Sequence, residues 1–197
     1  EVSRGITPRH DEDGHEGHEH AIDPHVWYDP MALMTWTTNV AMELSRVDPP
    51  NADAYAWRAH ETAKTFSALD EWIRAQFATI PQDRRTLVTD HESLGYYADR
   101  YGLRIAGAVL PGVSTLAEPS ARDVAALQKT IAREKVRVLF VGGASVPALV
   151  QRLAADTGVK IVALPTCALG VEGSATGSLD GYLRTLTRAI VEGLSAP

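Results

Sequence analysis

The sequence predicts an α/β protein: a parallel β-sheet lobe flanked by helices and preceded by one long, rigid spine helix. Three observations predict it. From Arg85 onward, short apolar β-branched runs alternate with helical patterns, as a parallel sheet covered on both faces requires. Between Asn51 and Pro81 a single apolar stripe recurs at steps of three or four, long enough for a helix of about 40 Å at 1.5 Å per residue. Finally, 197 residues that are 45% hydrophobic can bury a real core, in one large domain or one domain with an attached segment.

Taken in order, residues 1–9 hold few apolar positions and Pro8, enough for a connecting segment. After Pro30, apolar residues at Leu33, Trp36, Val40 and Leu44 have helical spacing, and Asp48-Pro49-Pro50 ends the helix. The spine helix follows, with Asn51 as its cap and Tyr55, Ala59, Ala63, Phe66, Leu69, Ile73, Phe77 and Ile80 on its stripe; His60 sits beside that stripe and reads as a surface histidine. Thr86–Asp90 reads as the first strand, Ser93–Tyr101 as a helix ended by Gly102, and Leu103–Val109 as the second strand. Leu110–Glu118 is a loop, and Pro119 opens a helix carrying Val124, Leu127 and Ile131. Val136–Val141 is the third strand. Ser145 caps the next helix, with Pro147 in its first turn; Val159–Leu164 is the fourth strand and Leu179–Leu194 the terminal helix.

Nineteen basic against 25 acidic residues give a net charge of −6 with the acids dispersed, which argues against nucleic acid or a polyanionic ligand as partner. A carrier or an enzyme remains. No apolar run approaches the roughly 20 residues of a membrane helix, and the longest, Val138–Val150, is broken by Gly142, Gly143 and Pro147. Cys167 is the single cysteine, so no internal disulfide forms. Glu1 is not a methionine and no leader is visible, from which we expect a processed product or a fragment that began further upstream.

The stretch Asp23-Pro24-His25-Val26-Trp27-Tyr28-Asp29-Pro30 organises the chemistry. Two X-Pro steps push Asp23 and Asp29 out of helical geometry and frame His25 as a metal ligand must be framed, although a capped turn with a backbone-bonded histidine would look the same. Just before it, residues 10–20 hold four histidines (His10, His15, His18, His20) among five carboxylates and two glycines. Such a tract has no apolar area to offset its ordering entropy. Its imidazoles and carboxylates suit metal capture; the alternatives are a solvated acidic loop or a tag. At the carboxyl ends of the strands, where open parallel sheets bind ligands, stand His91 after the first strand and Cys167 past the fourth, in a small-residue loop from Pro165 to Ser178. His91 could instead partner a helix cap, and Cys167 could be an inert buried thiol.

These segments, with Asp90-His91-Glu92-Ser93-Leu94-Gly95-Tyr96-Tyr97 at a strand end and Glu118-Pro119-Ser120 opening a helix, resemble the class A-I substrate-binding proteins of bacterial zinc and manganese ABC importers. The resemblance covers nearly the whole chain in motif order and spacing. It implies two α/β lobes joined by one rigid helix, with a divalent ion in the cleft. It also divides the chain: residues 1–30 as the end of an N-terminal lobe with its His-rich loop, 31–81 as helices including the inter-lobe spine, and 82–197 as the C-terminal lobe. His25 and His91 match two of the family's ligand histidines, while the lobe that supplies another is not in this chain. Thr166-Cys167-Ala168-Leu169-Gly170 stands where manganese-type relatives have Ser-Asp-Ala-Leu-Gly, so Cys167 takes the place of the acidic ligand. A thiolate there favours Zn²⁺ over Mn²⁺, because soft sulfur and imidazole suit zinc.

The resemblance therefore implies a monomeric binding protein, periplasmic or extracellular, anchored to the membrane through an upstream segment and delivering zinc to a membrane permease. Affinity should fall as pH drops through the histidine range, since each imidazole must be neutral to coordinate. The rival reading is a zinc hydrolase with Glu92 as general base beside His91; no His-Glu-x-x-His helix accompanies it.

Overall fold

Four short strands, Thr86–Thr89 (β1), Arg104–Ala108 (β2), Val138–Gly142 (β3) and Lys160–Leu164 (β4), pair in parallel in the order β2-β1-β3-β4. The computed structural model describes residues 2–10, 22–110, 120–143, 146–165 and 168–196. Its α-helices are Pro30–Val47 (α1), Ala52–Ala78 (α2), Gly95–Tyr101 (α3), Ala121–Arg133 (α4), Ala148–Thr157 (α5) and Leu179–Ser195 (α6). The chain leaves β1 through α3 to β2, then crosses back through α4 to β3 on the other side of β1. The carboxyl ends of β1 and β3 thus flank the point where the winding reverses, the usual crevice of an open parallel sheet.

The expected parallel sheet is present, and its strands are apolar on both faces because both faces are covered. Leu87, Val138 and Phe140 face one layer with α2, α3 and α6; Val88, Leu139 and Val141 face the other with α4 and α5. The long helix is present too, with 27 residues. Its carboxyl-terminal half buries Phe66, Leu69, Ile73 and Phe77 in the core of the sheet lobe, while its amino-terminal half lies against α1 and leaves Trp57 exposed.

Element edges moved for local reasons. The third strand was expected from Val136, but Lys135 sits at φ 52 and the Val136 N–H donates to the Ile131 carbonyl, so the end of α4 claims both residues. Likewise α3 begins at Gly95 rather than Ser93, because the His91 carbonyl accepts from the Thr89 hydroxyl and the Ser93 N–H and holds 90–94 in a turn. Asn51 occupies the N-cap of α2 without capping by its side chain; its amide donates to Asp48 instead. Pro147 is the N-cap residue of α5, one step before its expected place, and Ser145 lies outside the described residues. So does Pro119, but Ser120 caps α4 in a reciprocal box with Asp123.

Candidate metal centre

His25 opens a single turn of 3-10 helix, Val26–Tyr28. Asp29, extended at φ −99 and ψ 112, closes that turn through its N–H to the Val26 carbonyl and caps α1 with its carboxylate on the Met31 N–H. The Asp29-Pro30 step therefore acts as expected, and His25 is buried at 7% exposure. Asp23 Oδ1 accepts twice from His25, from the backbone N–H at 2.9 Å and from Nδ1 at 2.8 Å.

His91 repeats this arrangement at the end of β1. Asp90 Oδ1 accepts from the His91 N–H at 3.0 Å and from Nδ1 at 3.0 Å, and Asp90 Oδ2 accepts from the Gly142 N–H of β3 at 2.9 Å. One carboxylate thus sets the His91 ring and ties it across the winding-reversal crevice. A carboxylate beside Nδ1 favours the tautomer in which Nδ1–H donates to it, the form in which Nε2 is the coordinating nitrogen.

The two imidazoles come together. Their centroids are 5.7 Å apart with planes inclined at 63°. With Zn–N bonds near 2.0–2.1 Å, two imidazoles sharing one tetrahedral ion through Nε2 would have centroids about 5 Å apart, somewhat less than the separation here. Trp27 and His25 pack in a T-shaped arrangement with ring centroids 5.2 Å apart. Among the described residues no group of three or more His, Cys, Asp or Glu could hold an ion. Cys167, the third expected ligand, lies outside the described residues, as do His15, His18 and His20. His10 pairs with Ile22, and the Asp23 N–H donates to the Arg9 carbonyl, so the chain on either side of residues 11–21 is joined next to the His25 turn. Both carboxylates are partners of the rings, a role that the turn geometry of Asp23 does not by itself disclose. The signal was there, in Asp-x-His and Asp-His.

The family model described as "Zinc-uptake complex component A periplasmic" matches residues 1–193. The chain belongs to this family. It is 29% identical over 185 residues to the manganese-binding lipoprotein MntA of Bacillus subtilis, covering 88% of this chain and 60% of that protein. To the high-affinity zinc uptake system protein ZnuA of Paracoccus denitrificans it is 32% identical over 173 residues, covering 88% of this chain and 51% of that protein. The solved structure of the periplasmic zinc-binding protein TroA of Treponema pallidum superposes with a TM-score of 0.80 at 28% identity, over 89% of this chain and 65% of that one. The chain spans 60% or less of the length of these two curated relatives. Family and fold are those of solute-binding proteins rather than enzymes, and the hydrolase reading of Glu92 has no support among them. Among the described residues no helix is long and apolar enough to cross a membrane.

Proposed function

We propose that this chain captures a divalent transition metal, zinc in preference to manganese, through Nε2 of His25 and His91 and hands it to the membrane permease of an ABC importer. One observation carries the reading. Two buried histidines from distant parts of the chain meet at 5.7 Å, each held by its own carboxylate, as metal-ligating histidines are. Zinc is the better match for an imidazole-rich site, and more so with a Cys167 thiolate as third ligand. Relatives named for either metal keep the two ions in contention. A further ligand would come from outside the described residues, in keeping with a two-lobed protein in which residues 1–30 end one lobe, α2 is the spine and 82–197 form the other lobe. The histidine tract, whose flanking residues are joined beside His25, would collect ions near the site. The protein would act as a monomer in the periplasm or on the outer face of a membrane.

Calorimetric titration of the full chain with Zn²⁺ and, separately, Mn²⁺ tests this. Zinc should bind tighter, and Cys167→Ser should narrow the difference. Absence of saturable binding by either ion would overturn the reading, and tighter manganese binding would overturn the preference.

The carboxylates carry their own expectation. Asp90→Asn keeps the shape but removes the charge that makes His91 a better donor. Zinc affinity should fall about 10- to 100-fold, with the melting temperature read on the same sample to separate ring orientation from loss of fold.

A further inference from the structure

We infer that Arg100 is a positioning residue for the metal site: its guanidinium clasps the His25 turn to the helix that follows His91 and so sets the separation of the two rings. The inference rests on the metal-capture reading above. Arg100 lies in α3, whose first turn begins four residues after His91. Its Nε donates to Asp70 Oδ1 of α2 at 2.6 Å and lies 3.1 Å from Asp29 Oδ1, at the far end of the His25 turn. Asp29 is the residue that closes that turn and caps α1. One side chain, 19% exposed, therefore joins the turn, α3 and the long helix.

Asp70 is a firm anchor. Besides Arg100 it accepts from the Tyr101 hydroxyl at 2.9 Å and from Arg74 Nε at 3.0 Å. Burial alone would push its carboxyl up, but the bonds from Arg100, Arg74 and Tyr101 outweigh it and hold the carboxyl below its ordinary range. At the near end of the turn a second arginine makes a parallel link. Arg9 pairs with Asp99 of α3 and stands 3.8 Å from Asp23 Oδ2, and its backbone N–H donates to the Tyr96 hydroxyl at 2.8 Å. The His25 turn is thus fastened to α3 at both ends, and these charge-assisted contacts between planar groups have directions as well as strength. Without the Arg100 link the Asp29 end of the turn loses its tie to α3 and α2, and the ring separation is held less tightly.

The test compares the full chain with Arg100→Met, Asp29→Asn, the double variant and Arg74→Met, each titrated with Zn²⁺ and melted without metal. Arg100→Met and Asp29→Asn should each weaken zinc binding about 10-fold or more, the magnitude typical of residues that orient ligands, and the double variant should be no weaker than the worse single one. Arg74→Met removes the bond to Asp70 Oδ2 but leaves Oδ1 held by Arg100 and Tyr101 and leaves the Arg100–Asp29 contact in place, so it should lower the melting temperature and leave zinc affinity within two-fold. The absorption of Co²⁺ bound in place of zinc should change shape in Arg100→Met and not in Arg74→Met. If Arg100→Met does not fold, Asp29→Asn decides. Zinc affinity unchanged within two-fold in a folded Arg100→Met, beside a wild type that binds zinc, overturns the clasp alone; a wild type that binds no zinc overturns both readings.

Discussion

Replacing either His25 or His91 by alanine is expected to abolish high-affinity zinc binding. Losing only the carboxylate partner of a ligating histidine costs roughly 10- to 100-fold in affinity, so losing the ring itself should cost more than about 100-fold. The two losses should be nearly equal, because each ring is buried and each is held by one carboxylate. His60→Ala supplies the contrast: His60 is an exposed residue of α2 and its removal should leave the titration unchanged. The fold should survive the two site substitutions. Each leaves a carboxylate short of one partner, at about 1–3 kcal/mol, but Asp23 keeps the backbone N–H at 25 and Asp90 keeps those at 91 and 142. Isothermal titration of the three variants beside the unaltered chain decides it. Zinc affinity unchanged in both His25→Ala and His91→Ala would remove the ground for a metal site here.

The largest effect on stability is expected from Phe140→Ala. Phe140 lies on β3, an inner strand, at 0% exposure, and its ring fills the space above Gly193 of α6 so closely that a Cβ there would come to 2.9 Å. Helix and strand approach each other because the one residue is large and the other has no side chain. Truncation leaves a cavity that neither element can close, at about 3–5 kcal/mol, equivalent to a drop of about 6–20 °C in melting temperature for a chain of this size. Gly193→Ala should destabilise by overpacking the same contact, about 1–3 kcal/mol. Thermal melts by circular dichroism measure both. A Phe140→Ala melt within about 2 °C of wild type would mean a contact far looser than the one described. Zinc affinity measured well below the melt should persist, since Phe140 meets the site through its backbone carbonyl, which accepts from the Asp90 N–H and is kept in Phe140→Ala.

Much of this was legible before any coordinates. The alternation after Arg85 specified a parallel sheet because strands buried on both faces must be apolar throughout, and the stripe from Tyr55 to Ile80 specified the long helix, which ends at Ala78, because no other structure repeats at that step. The X-Pro steps around His25 and the strand-end place of His91 marked both rings as candidates, since rigid framing and the carboxyl edge of a sheet are local properties. Element edges were less legible, and Lys135 and Ser93 show why: a left-handed backbone and a carbonyl already occupied are outcomes of closure.

What the sequence determined by itself was the kind of fold and two candidate histidines, because periodicity and proline geometry act within a few residues of where they are written. What only the tertiary structure decided was that the rings meet at 5.7 Å, that Asp90 reaches across to Gly142, and that Arg100 joins Asp29 to Asp70. Those relations are set by strand order and by the packing of α3 between the His25 turn and α2. Distances between residues far apart in the chain exist only once the core has closed.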